Sequence, residues 1–530
     1  MDEYIFGANI LENLTTGMYK DSKVIFREYI QNACDQIDKA VELGILTSTD
    51  EGRIEIWLDE ERRTISIEDN ATGIPQADFR KTLADIADSS KKIGEDKGFR
   101  GIGRLCGLAY CRELIFTSKA KGENVISVMR CDAKKMRELL NRNINGEKFT
   151  ASGVLNQIYK FEDIPDNTVT DEHWFRVELI GVNEENTELL NFDEVKNYLS
   201  FVAPVRYKNT FIYQSEIYAH AKEIGYKIDE YNISLNGEDD ISKKYSSKFR
   251  TSKGEDDISG VEFKDFYDDN GNLIMWLWFG ISQFKGIIEK GCEMRGIRLR
   301  KENIQIGSED ALQKLFKEDR GQHYFIGELF AVSKDLIPNS QRDYFNENTM
   351  RVKFEDEIRR YFKDVLQKVY YNASSLNSSF KKIEDFQKKT LEHQKKINNG
   401  DYIDSEDIAK AESTLKEAES KAIEARKKID KLKQTTGNTE TDSVLQKVAN
   451  GIAKEHSDRK KSEVSATNSV EIRENVPAPS SKKTAHRVDK LSKLNKKERK
   501  LVSRIWGIIK DNTDDKTAEI IINKIEEEYK

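Results

Sequence analysis

Phe26-Arg27-Glu28-Tyr29-Ile30-Gln31-Asn32-Ala33-Cys34-Asp35 carries the periodicity of an amphipathic helix. Offsets of four and seven bring Glu28, Asn32 and Asp35 into one narrow sector, while Phe26, Ile30, Ala33 and Ile37 occupy the opposite side. A carboxylate able to deprotonate water, one turn from an amide oxygen able to ligate Mg²⁺, suits hydrolysis of a terminal phosphate. Taken alone, the same pattern also describes the solvated face of a surface helix.

Two further stretches add to it. Ile65-Ser66-Ile67-Glu68-Asp69-Asn70-Ala71-Thr72-Gly73-Ile74 reads as a strand that ends in an acid and runs into a glycine turn. Asp69 can accept a hydrogen bond from an exocyclic amine such as that of adenine, and Gly73 lets backbone approach the base. By itself DNxxG is equally an ordinary turn. Gly98-Phe99-Arg100-Gly101-Ile102-Gly103-Arg104-Leu105 then leads glycines into an apolar helix, whose first N–H groups would hold phosphate oxygens while Arg100 or Arg104 adds charge. Between Gly73 and Gly98 lies polar ADIADSSKKIGEDK, which can fold over a nucleotide as a lid; its Ser89, Ser90, Lys91 and Lys92 are equally readable as solvated residues.

At 530 residues the chain is too long for one core. Alternating Ile54, Ile56 and Leu58, followed by Ile65 and Ile67, predict strands mixed with helices in an α/β layer domain over 1–190. A second α/β domain is expected over 191–372, with strand-like LIMWLWFGIS and GIRLRKENIQI and a helical end at VKFEDEIRRYFKDVLQKVYY. Over 373–434 the spacing of Ile408, Ala411, Leu415, Ala418, Ala422, Ala425, Ile429 and Leu432 gives heptad a/d positions. With a weaker stripe at Phe380, Ile383, Thr390 and Ile397, this predicts a helical hairpin or an intermolecular coiled coil, and a surface helix packed on its own domain is equally compatible. Polar residues 435–488 read as a flexible linker, and 489–530 as a small helical segment with Leu501, Ile505, Ile508 and Ile509 on one face.

Five cysteines without paired spacing leave one over, which fits reduced thiols and a cytoplasmic protein. No run reaches the length of a membrane span and the N-terminus lacks the pattern of a signal peptide, so no membrane partner is expected. The net charge of −7 gives the whole molecule no general attraction to nucleic acid, although local basic segments retain one.

The order of these elements, a Glu/Asn helix, a strand with Asp and Gly, a polar lid and a glycine-rich helix start, resembles the GHKL superfamily of gyrase, heat shock protein 90, histidine kinases and MutL. ILENLTTGMYKDSKVIFREYIQNACDQIDKA is similar to the first helices of heat shock protein 90, IEDNATGIP to its adenine motif and GFRGIGRLCGLAY to its phosphate motif. The resemblance implies a two-layer α/β sandwich of the Bergerat type that binds ATP and Mg²⁺, followed by an α/β transducer or middle domain. It implies Glu28 as general base, Asn32 as magnesium ligand and Asp69 as adenine partner, with Asp35 and Gly73 completing the pocket. Gly98, Gly101 and Gly103 would cradle the phosphates, with Arg100, Ile102 and Arg104 beside them. One departure stands out: the family places a threonine on the last strand near adenine, where this chain reads His173-Trp174-Phe175-Arg176-Val177-Glu178-Leu179.

SSKK followed by GFRG is similar to the MutL branch. Leu336-Ile337-Pro338-Asn339-Ser340-Gln341-Arg342-Asp343 instead resembles the Asn-x-x-Arg turn of heat shock protein 90 middle domains, where MutL and gyrase use a lysine. By this resemblance Arg342 would neutralise charge on the transferred phosphoryl group; without it, pairing with Asp343 is equally open. The resemblance covers roughly residues 8–370, and the C-terminal remainder does not resemble the chaperone's dimerisation domain. It implies an ATPase acting as an ATP-gated homodimeric clamp that remodels a protein partner. The alternative is a DNA-associated ATPase similar to MutL or MORC proteins, in repair or defence, with the run Lys482–Lys500 touching phosphates; that run carries nine Lys/Arg against two Asp/Glu, and is also readable as a solvated linker.

Overall fold

Alternating isoleucines build β1 (Arg53–Asp59) and β2 (Thr64–Asp69), which pair antiparallel with Ile56 opposite Ile67. In this computed structural model the chain is described except at residues 1–5, 16, 19–20, 87–100, 167–170, 239, 399–400, 403–404, 434–441, 455–490, 492 and 530. It divides into two compact units, Met1–Ile281 with Ile287–Asp364, and Ser282–Gly286 with Val365–Lys530.

In the first unit, β3 (Cys111–Lys119), β4 (Val125–Asp132), β5 (Tyr159–Pro165), β6 (Trp174–Val182) and β7 (Asn232–Leu235) join β1 and β2 in the order β5-β4-β3-β6-β2-β1-β7. Neighbours are antiparallel except β1 and β7, and β7 is drawn from beyond residue 190. One face of the sheet buries Ile54, Ile56, Ile65, Ile67, Leu114 and Leu179 in a core shared with helices α1 (Asn9–Leu14), α2 (Val24–Glu42), α3 (Gln76–Ala84), α4 (Ala133–Ile144) and α5 (Ala151–Ile158). The other face keeps Trp57 half-exposed and carries the Glu68–Arg176 ion pair. This is the two-layer α/β sandwich expected from the sequence.

After α6 (Phe192–Val202) and α7 (Gln214–Glu223) come the hairpin of β8 (Lys248–Thr251) with β9 (Gly254–Asp257) and a second sheet. That sheet consists of β10 (Gly260–Tyr267), β11 (Leu273–Ile281), β12 (Gly296–Lys301), β13 (Ile304–Gln305) and β14 (Ile326–Ala331), in the order β10-β11-β14-β12-β13. Helix α8 (Thr349–Tyr361) follows. Glu328 of β14 is fully buried and receives Arg300, Lys243 at 3.0 Å, Tyr245 at 3.0 Å and the Tyr207 hydroxyl. Burial alone would raise its carboxyl, but Arg300 and Lys243 hold it down to about 2.

In the second unit, α9 (Gln367–Asn398) packs on α10 (Ser405–Lys433) as an antiparallel hairpin, with Asp385 facing Lys421 and Lys389 facing Glu417. Ala418, Ala422, Ala425 and Ile429 are buried, as their heptad spacing requires. Thr390 is exposed and bonds the Phe386 carbonyl, so the α9 stripe runs through half-buried Phe386 and His393 in its place. Residues 442–454, assigned to a linker on polarity, are helical, because Val444, Val448 and Ile452 recur one turn apart and are buried; the rest of that stretch, 455–488, lies outside the described residues. A capping box of Asn495 and Glu498 starts the helix Lys496–Asn512, which with Asp515–Tyr529 encloses Leu491, Trp506 and Ile522. Leu501, Ile505 and Ile508 face outward, and Ile509 packs against that small core.

Removing the charge at Glu328 would leave Arg300 and Lys243 buried without their counter-ion. Glu328→Gln is expected to lower unfolding stability by about 3 to 5 kcal/mol. A shift in urea midpoint that corresponds to less than about 1 kcal/mol would contradict this account of the cluster.

Candidate functional site

Residues Val24 to Gln31 of α2 are buried all round, including Arg27, Glu28 and Gln31, and one turn on Asp35 is buried as well. A solvated surface helix is thereby excluded, since charged side chains withdrawn from water require partners. Glu28 finds its neighbour in the glycine segment: a Cβ on Gly103 would stand 2.4 Å from Glu28 Oε2, so the carboxylate lies directly against backbone. Tyr29, the next residue, pins the same segment. Its hydroxyl donates to the Arg104 carbonyl and accepts from Gly107 N–H, both at 3.1 Å.

These ties change the shape expected of the glycine segment. Gly103–Ala109 is a 3₁₀ turn and β3 begins at Cys111, where an apolar α-helix was expected. Two glycines and the Tyr29 bonds favour the tighter turn over helix propagation. Gly101 has φ +66°, a left-handed backbone suited to glycine. The Arg104 guanidinium donates to the Asp85 carbonyl. Gly98, Arg100 and the lid residues Ser89 to Lys92 lie outside the described residues.

Asp69 ends β2 and is almost wholly buried. Its Oδ1 accepts from Ala71 N–H at 3.1 Å, and burial pushes its carboxyl up to about 7. Gly73, at φ +63°, has no room for a side chain because a Cβ would lie 2.0 Å from the Lys119 carbonyl. The close approach it permits within the protein is therefore to β3. Asn32 is half-buried on α2, between Glu28 and Asp35 in sequence.

Arg342 sits at the tip of a turn closed by the Pro338–Phe345 bridge, with φ +53° and a buried side chain. Its N–H donates to the Asn339 carbonyl and its own carbonyl accepts from Gly307 N–H. The Asp343 carboxylate bonds the Asn339 amide at 2.6 Å. Arg342 itself lies in the field of Glu28 and Asp35; burial pulls its guanidinium below the usual value while Glu28 opposes that shift. Arg27 ties the two parts together by donating to the Gln341 carbonyl at 3.1 Å and to Glu28 Oε1 at 3.3 Å.

The structure thus gathers Glu28, Asp35, Gly103 and Arg342 around one side of α2, and sets Asp69 and Gly73 at the end of β2. Arg27 and Tyr29 were not legible as site residues in the sequence, although both flank Glu28. Their signal is burial on every side of the helix, which a two-sided amphipathic pattern does not encode.

This arrangement agrees with what the chain is similar to. Residues 21–161 match the family described as histidine kinase-, DNA gyrase B- and HSP90-like ATPases, and that stretch is a GHKL domain of the heat shock protein 90-like kind. The chaperone protein HtpG of Helicobacter hepaticus is 32% identical over 136 residues, 22% of each chain. The chaperone protein HtpG of Wolinella succinogenes is 28% identical over 134 residues, 22% of this chain and 21% of the relative. That of Fusobacterium nucleatum is 32% identical over 104 residues, 18% and 17% respectively. The chain spans about a fifth of the length of these curated relatives. No helix among the described residues is long and apolar enough to cross a membrane.

The Asp69 environment has a consequence for stability. Between its unfolded value of 3.8 and its folded value of about 7, the unfolded chain releases the proton that the folded protein keeps, so this residue's contribution to stability falls as pH rises through that window. Asp69→Asn is expected to match the wild type near about pH 4 and to exceed it by about 1 to 4 kcal/mol near about pH 8. Urea midpoints at the two pH values test this, and a variant less stable than wild type at the higher one contradicts it.

Proposed function

We propose that this chain hydrolyses ATP and works as an ATP-gated homodimeric clamp on a protein partner in the cytoplasm. The observation that carries the reading is the Glu28 carboxylate lodged against Gly103 with Arg342 buried in its field. Base, phosphate cradle and cation are the three services that transfer of a phosphoryl group to water requires.

In this reading Glu28 takes a proton from the water that attacks the γ-phosphorus, while the bond from that phosphorus to its bridging oxygen breaks to leave ADP and phosphate. Backbone N–H groups at Gly101, Ile102 and Gly103 hold phosphate oxygens, joined by Gly98, Arg100 and Arg104. Arg342 faces the charge that develops on the transferred group, in the manner of an arginine finger. Asp69 accepts the exocyclic amine of adenine, and Asp35 and Gly73 complete the pocket.

The residues also suit Mg²⁺. Asn32 carries the neutral oxygen donor that a hard cation accepts, one turn from Glu28 and between it and Asp35, the two buried carboxylates of α2. The ion, when bound, would neutralise phosphate charge. Arg27 supports the gating part of the proposal, because it holds the helix of the base and the loop of Arg342 with one guanidinium. The partner is read as protein because the relatives are named chaperones.

The test is ATP turnover by the purified chain. Glu28→Ala is expected to lower kcat about 100-fold or more, and Arg342→Ala at least about tenfold. Normal turnover in Glu28→Ala would sink the assignment. The same variant should retain its partner in a cross-linking pull-down; recovery of nucleic acid alone, with turnover stimulated by duplex DNA, would transfer the protein to the DNA-associated class and give the basic run before Lys500 its role.

A further inference from the structure

The turn that carries Asp69 is fastened at several points. Ala71 N–H donates to Asp69 Oδ1, Thr72 Oγ1 bonds Gln36 Oε1 at 2.9 Å, and Ile74 N–H donates to Ser118 Oγ at 2.7 Å. Gly73 packs against the Lys119 carbonyl. One more fastening comes from the segment that leads into β6: His173 Nδ1 lies 2.5 Å from the Ala71 carbonyl oxygen. That segment is itself anchored, since the buried Lys119 reaches Glu172 at 3.8 Å and pairs with Asp166.

A carbonyl oxygen only accepts, so the ring nitrogen against it must carry the proton. His173 is then either the neutral Nδ1–H tautomer or the imidazolium, and the bond to Ala71 survives in both. The two peptide groups flanking Ala71 are consequently both held. Asp69 fixes the one before it through Oδ1, and His173 fixes the one after it. With Oδ1 committed to Ala71, recognition of a ligand amine falls to Oδ2.

We propose that His173 is a positioning residue for base recognition: by pinning the Ala71 carbonyl it holds the Asp69 turn so that the carboxylate meets the exocyclic amine of an adenine nucleotide. This rests on the reading of Asp69 as the base partner. The chemical consequence is discrimination between an amino-purine and an oxo-purine, because inosine diphosphate offers no amine to the carboxylate, whereas its phosphates and sugar are those of ADP.

The experiment measures ADP and inosine diphosphate binding to the full chain as wild type, Asp69→Asn, His173→Ala and His173→Asn, with ATP turnover alongside. His173→Ala is expected to weaken ADP about tenfold and inosine diphosphate far less, to raise KM for ATP and to leave kcat unchanged. His173→Asn, whose side-chain N–H can reach the same carbonyl, should recover most of the preference for ADP. If the alanine variant fails to fold, His173→Phe, which keeps a ring and lacks the donor, replaces it. An equal loss for both nucleotides, or an unaltered preference for ADP, overturns the role of His173. Failure of the wild type to bind ADP, or full preference for ADP in Asp69→Asn, overturns instead the reading of Asp69 on which it rests.

Discussion

A carboxylate pressed against a backbone without a Cβ is the contact on which the arrangement depends. Glu28 can be buried beside Gly103 because glycine leaves the space, and an alanine there would put a methyl carbon 2.4 Å from Oε2. Three successive residues of α2 then serve two neighbours, the loop of Arg342 and the Gly103–Ala109 turn. Arg27 holds the loop of Arg342, Glu28 meets Gly103, and Tyr29 hydrogen-bonds Arg104 and Gly107. Successive helical residues diverge by about 100°, so such a division of labour requires a stretch of helix surrounded on all sides, and Val24–Gln31 of α2 is one.

The loop on the far side of Arg27 is built to match. Arg342 adopts a left-handed backbone that costs a non-glycine residue about 1 kcal/mol. The turn is over-determined by the Pro338–Phe345 bridge, the Asn339–Asp343 bond and the close packing of Gly307 against the Asp343 carbonyl. Strain persists where surrounding contacts fix it. The result is an Arg342 backbone fixed by its own loop, and Arg27 ties that loop to α2 through the neighbouring Gln341 carbonyl.

Legibility in the sequence tracks the range of the interactions. The strands β1 and β2, the Glu28 and Asn32 spacing and the Asp69 turn are local patterns, and all could be read from residues within a few positions of one another. The 3₁₀ turn at Gly103 could not, because Gly103 and Gly107 alone do not decide it and the Tyr29 hydroxyl that helps to fix it lies 78 positions from Gly107. Thr390 misled because heptad spacing alone does not distinguish an occupied seam position from a hydroxyl that satisfies itself on the preceding turn. The helix at 442–454 was hidden by the polarity of its surroundings, although its Val444, Val448 and Ile452 are the kind of spacing that marks one. Arg342 was found through resemblance, and its approach to Glu28 depends on a separation of more than three hundred residues that no local pattern expresses.

Two buried carboxylates in the first unit show how the same burial leads to different chemistry. Glu328 is surrounded by Arg300, Lys243 and two tyrosine hydroxyls, so it stays ionised and its lone pairs are consumed within the second sheet. Asp69 is as deeply placed but has a backbone N–H where Glu328 has two cations, and burial therefore raises its carboxyl to about 7. A carboxylate satisfied by its own protein has nothing left to offer a ligand, whereas one whose ionised form has only a backbone N–H to support it gains further charge stabilisation from a donor that arrives from outside. The first is consistent with an internal tie between α6 and the strands, reached through Arg300 and the Phe201 carbonyl. The second has a single backbone partner, on Oδ1, among the described residues, and that difference in counter-ions, more than depth of burial, separates the residue that holds the fold from the one suited to recognition.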